Sequence, residues 1–145
     1  MAQTIKKSLV ITATLFAILA ILTCHPVSFA HAQNEPLRVY GLGVINECII
    51  DLIFDQQIGT GRLIYLDKTS NNMVFGEITS ATLESGSTMN ISGSYTTEDN
   101  VSHTFRASVE DLGKPGKGID KFSITLSDGY TKSGILDQGE IEISY

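Results

Sequence analysis

From Ile50 onward, apolar side chains recur at every second position in short runs, and no other feature constrains the fold as strongly. Ile50, Leu52 and Phe54 alternate with Asp51, Ile53 and Asp55; Phe105, Ala107 and Val109 alternate with Arg106, Ser108 and Glu110. The same spacing sets out Leu63 and Tyr65, then Met89, Ile91, Gly93 and Tyr95, then Phe122, Ile124 and Leu126, and finally Ile141, Ile143 and Tyr145. A period of two sends successive side chains to opposite faces of a strand, so each run has one face to bury. Between the runs stand QQIGTG, DKTSNN, ESGS, TEDN, SDGY and DQG, clusters of the residues that supply turns. Beyond residue 33 no window of about eleven residues carries the stripe of an amphipathic helix. The pattern predicts an all-β domain: an antiparallel β-sandwich or small closed barrel of about eight to ten short, hairpin-connected strands.

Ahead of this domain lies a segment of different character. Lys6 and Lys7 precede an apolar run from Leu9 to about Thr23, and Ala30-His31-Ala32 supplies a small-x-small cleavage pattern, the three parts of a secretory signal peptide. His25 and Pro26 interrupt the apolar run short of the roughly 18 residues of a spanning helix, which argues against an uncleaved anchor. Thr23 before Cys24 disfavours a lipid-attachment site. The sequence therefore predicts a signal peptide over residues 1–32 and a single all-β domain over 33–145, secreted or extracellular, with no membrane span after cleavage.

Loss of the signal changes the composition that matters. Its two lysines leave with it, so eight basic residues stand against sixteen acidic ones. A net charge near −8 disfavours nucleic acid, whose binding needs clustered Lys and Arg. Cys48 becomes the only cysteine and His103 the only histidine of the mature chain. An intrachain disulfide and a zinc site of several Cys or His ligands are then excluded, and nothing local favours a Cys-His dyad. No catalytic set and no cofactor motif is left. The glycine clusters do not supply one: GKPGKGID lacks the spacing of a phosphate-binding loop and runs into a strand, while GLGVIN has Asn46 where a dinucleotide fingerprint needs its third glycine.

Residues 111–120, DLGKPGKGID, are instead a rigid connection between two strands. Parity puts Asp111 on the face of Val109 and Asp120 on the face of Phe122, so both carboxylates lean inward. An unpaired ion there costs several kcal/mol. Two partners are open: amide donors of the glycine-rich loop, forming a hydrogen-bonded lock, or Ca²⁺, which takes carboxylate and carbonyl oxygens. Asn90 in NIS and Asn100 in NVS match the N-glycosylation sequon, Asn90 facing outward and Asn100 in a turn.

The C-terminal half carries a more specific pattern: Phe105, then Asp111, Gly113, Pro115, Gly116, Gly118, Asp120 and Phe122, then Gly129-Tyr130 and Gly134-x-Leu136. In this pattern the chain resembles the post-COAP type of β-domain, found alone or appended in secreted bacterial and archaeal proteins. The resemblance spans nearly all of the mature chain, is looser in the N-terminal half, and does not account for Cys48. It implies an extracellular, non-catalytic module and brings no established activity. The expected function is a structural, adhesive or binding role at the cell surface, toward a surface protein or polysaccharide. The alternatives are a calcium-stabilised binding module and a secreted hydrolase working with carboxylates alone, since neither His nor Cys is needed for that chemistry.

Overall fold

The computed structural model describes residues 35–145; the segment read as a signal peptide, with Cys24, His25 and His31, lies outside them. The described residues form nine strands: β1 Arg38–Ile45, β2 Cys48–Asp55, β3 Thr60–Asp67, β4 Asn72–Ser85, β5 Thr88–Thr96, β6 Ser102–Glu110, β7 Lys121–Leu126, β8 Thr131–Ile135 and β9 Gln138–Ser144. They form one antiparallel sheet in the order β8-β7-β6-β5-β4-β3-β2-β1-β9. The described residues contain no helix that is long and apolar enough to cross a membrane. Strands β1 to β8 follow one another as sequential pairs, and β9 alone breaks the succession by returning to β1, Arg38 opposite Ser144.

The expected all-β antiparallel architecture is present, as a single curled sheet, a half-barrel. It is neither two separate sheets nor a closed ladder: β8 pairs only with β7 and β9 only with β1. The curl begins on β4, which pairs with β3 through Asn72–Ile78 and with β5 through Gly76–Ser85. Register shifts at Ile78/Ser80 and Leu83/Ser85 break the pairing with β5, and such bulges bend a strand and increase its twist. Inward side chains of the two ends meet across the interior, where Tyr65 of β3 stacks on Phe122 of β7 at a centroid distance of 6.1 Å.

The alternating runs sit as their parity requires, with Ile50, Leu52, Leu63, Met89, Phe105, Val109, Phe122, Ile124 and Ile141 buried, except at the end of the last, where Ile143 is only partly buried and Tyr145 is exposed. Strands β1, β4 and β8 lie outside those runs. On β1 both faces are apolar: Val39, Gly41, Gly43 and Ile45 point inward, and Tyr40, Leu42 and Val44 outward. A Cβ at Gly43 would stand 2.7 Å from Leu136 Cδ2, so the glycine is the space that Leu136 fills. Gly76 of β4 serves Phe105 likewise, its missing Cβ 2.5 Å from Phe105 Cε1, while Phe75 beside it is 61% exposed. The β1–β2 turn has both Asn46 and Glu47 at positive φ, 42° and 68°, the twist-matched two-residue hairpin turn.

Because β9 closes the interior with Ile141 and supplies the only partner on that side of β1, removing residues 140–145 is expected to give an unfolded or aggregated product. Far-ultraviolet circular dichroism with gel filtration checks this; a folded monomer would show β9 to be dispensable.

Candidate functional site

Strands β8 and β9 are joined by only Leu136 and Asp137, yet they do not pair. Residues 111–120, the β6–β7 connection, stand between them. Leu136 N donates to Asp120 O at 2.9 Å, and Gly118 N to Leu136 O at 2.7 Å. The free amides along β9 meet side chains: Ile141 N donates to Asp120 Oδ2 at 2.8 Å and Ile143 N to Asp111 Oδ2 at 3.0 Å. The remaining oxygens accept from the loop, Asp120 Oδ1 from Leu112 N at 2.9 Å and Asp111 Oδ1 from Gly113 N at 3.2 Å. Asp120 is wholly buried and Asp111 half-buried. Gly116 is required beside them, since a Cβ there would overlap the Asp120 carboxylate. Both aspartates thus lean inward as their parity indicates, but half of their donors come from the last strand, which the local pattern does not show.

A second polar cluster was not indicated by motif. Asp67, at the inner end of β3, is 1% exposed. Its Oδ1 accepts from Thr69 Oγ1 at 2.6 Å and Thr69 N at 2.7 Å, and its Oδ2 from Ser70 Oγ at 2.8 Å and Tyr130 OH at 2.6 Å. Lys132 Nζ stands 3.7 Å from Oδ2. The chain of contacts continues from Tyr130 OH to Tyr65 OH at 2.6 Å and from Tyr65 OH to Cys48 Sγ at 3.4 Å. The Thr69 hydroxyl, then Tyr130, then Ser70 hold the Asp67 carboxyl well below the usual carboxylate range. Burial, helped by Cys48 and Tyr130, pushes the Tyr65 phenol far above its ordinary value. Parity does signal Asp67, two residues beyond the inward Tyr65; Tyr130 lies in a turn and gives no such sign.

Cys48 and Tyr65 are wholly buried, and both Asp67 oxygens are occupied by short hydrogen bonds. His103 lies apart from Cys48, stacked on Tyr95 at 5.3 Å with Nδ1 3.3 Å from Ser127 Oγ. Among the described residues no three His, Cys, Asp or Glu side chains are gathered as a metal site would gather them. Asn90 faces outward on β5, its amide donating to Glu84 Oε2 at 2.9 Å; Asn100 is exposed in the β5–β6 turn with φ 61°.

What remains accessible is the outer wall, and it is divided. Across β4 to β8 two rows run in register, Ser80–Ser92–Arg106–Thr125–Thr131 and Thr82–Asn90–Ser108–Ser123–Ser133. Their members on β4 to β7 line a shallow concavity of about 280 Å³ with Arg106 as its only charge. Across β1 to β4 the rows are mostly apolar, with Asp51, Arg62 and Glu77 as the charged members: Val44–Ile49–Leu66–Met73, then Leu42–Asp51–Ile64–Phe75, then Tyr40–Ile53–Arg62–Glu77. The interior of that face holds one ion pair, Arg62 Nη2 to Asp51 Oδ2 at 3.3 Å.

No family model, curated protein or solved structure matches the chain.

Two outcomes test the polar clusters. Asp120→Asn sets an amide donor against a backbone N–H in a wholly buried site and is expected to cost about 2–3 kcal/mol; the half-exposed Asp111→Asn costs about 1 kcal/mol, both read by urea unfolding. For Asp67 the folded pKa is depressed, so its contribution is complete above the unfolded value near 4 and is lost as pH falls toward the folded one. The unfolding midpoint of the wild type is expected to fall steadily from about pH 5 to about pH 2, and that of Asp67→Asn less steeply, by about one proton. Parallel curves would remove Asp67 from the account.

Proposed function

We propose that the chain is an exported, non-catalytic β-module of the post-COAP kind, with a structural, adhesive or binding role at the cell surface. The observation that carries this reading is the split between interior and wall. Inside, the buried carboxylates, phenols and thiol are bonded to one another or to backbone amides; outside, a hydroxyl-rich face and an apolar face lie on one rigid sheet. Rigid, differentiated surfaces suit recognition, and the two faces suit a polysaccharide and a protein surface respectively. The signal sequence supports export. The acidic balance argues against a nucleic-acid partner.

Asp111 and Asp120 act as a structural lock in this reading. All four of their oxygens accept backbone amides, and a lock of that kind needs no cation. They are equally unsuited to glycoside hydrolysis, in which one carboxyl must give a proton and the other must reach a sugar or water.

The test takes protein recovered from the culture medium. An intact mass beginning at Gln33, with equal thermal midpoints in EDTA and in millimolar Ca²⁺, is the expected result. Added hexose at Asn90 or Asn100 would appear in the same spectrum if the compartment glycosylates. Retention in the cell at full-length mass would overturn the export reading. A calcium-dependent rise in midpoint that Asp111→Asn or Asp120→Asn abolishes would overturn the lock, and glycoside turnover lost in those variants would overturn the non-catalytic reading.

A further inference from the structure

We propose that the apolar outer face of β1 to β4 is the docking surface for a second copy of this chain, packed face to face about a twofold axis. Five large apolar side chains on this face, Tyr40, Leu42, Ile53, Met73 and Phe75, are each 45–61% exposed. Tyr40 and Phe75 each have about 150–250 Å² to bury and the three aliphatic side chains somewhat less, so the five, about half exposed, leave roughly 500 Å² of largely apolar surface in water. That is the upper part of the range for the largest patch on a monomer. Two copies together bring about 1,000 Å² of apolar area, which with a polar rim reaches the lower bound of a specific interface, about 1,200 Å². The four side chains on β1 and β4 flank Ile53 of β2, and because the sheet curls part of this area stays wet, so the dimer is weak and concentration-dependent.

The charges on the face select among occupants. A lipid surface would strip water from the Asp51–Arg62 pair, which sits within the apolar rows and has no further cover. A partner must instead present both signs at the same spacing, and this face does. Turned over about an axis parallel to the strands, β3 of each copy lies over β2 of the other. Arg62 then faces the strand that bears the partner's Asp51, and two ion pairs merge into a ring of four alternating charges. Stacked sheets at about 10 Å allow the apolar rows to interdigitate around it. The association follows from this surface alone and holds whether or not the chain is exported.

Sedimentation velocity on residues 33–145 tests the proposal; the strand pairings and the core described above lie within them. From about 1 µM to about 1 mM the weight-average mass is expected to rise from monomer toward dimer. Phe75→Ser and Leu42→Ser, both outside the core, are expected to weaken association at least about tenfold with the thermal midpoint retained. Arg62→Glu and Asp51→Arg are each expected to be monomeric alone, and an equimolar mixture of the two to dimerise again. A monomer at every concentration overturns the proposal. So does a dimer indifferent to Phe75→Ser, a mixture that fails to recover, or co-sedimentation of the wild type with phosphatidylcholine vesicles.

Discussion

The amide groups along the free side of β9 have nowhere to go within a nine-stranded sheet that does not close, and the fold depends on how they are satisfied. A buried backbone donor without an acceptor costs as much as several favourable contacts return. Here the acceptors are two carboxylates carried in from the β6–β7 connection, which stand where a tenth strand would stand. A side chain reaches only one donor, so the two aspartates must be spaced to meet alternate amides of β9. The glycines and proline between them set that spacing. Closure therefore rests on a loop, and this is why β8 and β9 can be neighbours in sequence without pairing.

The parts of the fold that sequence shows are those in which an apolar side chain and an inward position coincide. Phe105, Phe122, Ile124 and Ile141 follow this rule, and their strands are legible from spacing alone. On β1 and β4 it fails for a definite reason. The inward positions at Gly41, Gly43 and Gly76 carry no side chain, because Leu52 and Ile141, Leu136, and Phe105 respectively fill the space, while Tyr40, Leu42 and Phe75 face water. Alternation then assigns the wrong face to the strand, or no strand. The information lies in the residue that fills the space, far away in sequence.

The same distinction separates the two polar clusters. Parity was enough to bring Asp111 and Asp120 inside, since both flank alternating runs, but their partners Ile141 and Ile143 are amides, and every residue has one. The Asp67 cluster draws on β2, β3 and the start of β8. Tyr130 belongs to a turn by composition and becomes a core hydrogen-bond donor only through the curl of the sheet. Short contacts of this type, with a carboxylate anchored by hydroxyls at one end and a thiol at the other, fix the distance between opposite walls. They hold the curvature that hydrophobic burial alone leaves soft.

The pairing of β1 with β9 sets Arg38 across from Ser144, so the polypeptide enters and leaves the fold at one corner. A module with that geometry is a ready graft. Spliced into a surface loop of a larger host, it would ask the two ends of that loop to be only one strand spacing apart, about 4.8 Å, and would leave the host's own framework undisturbed.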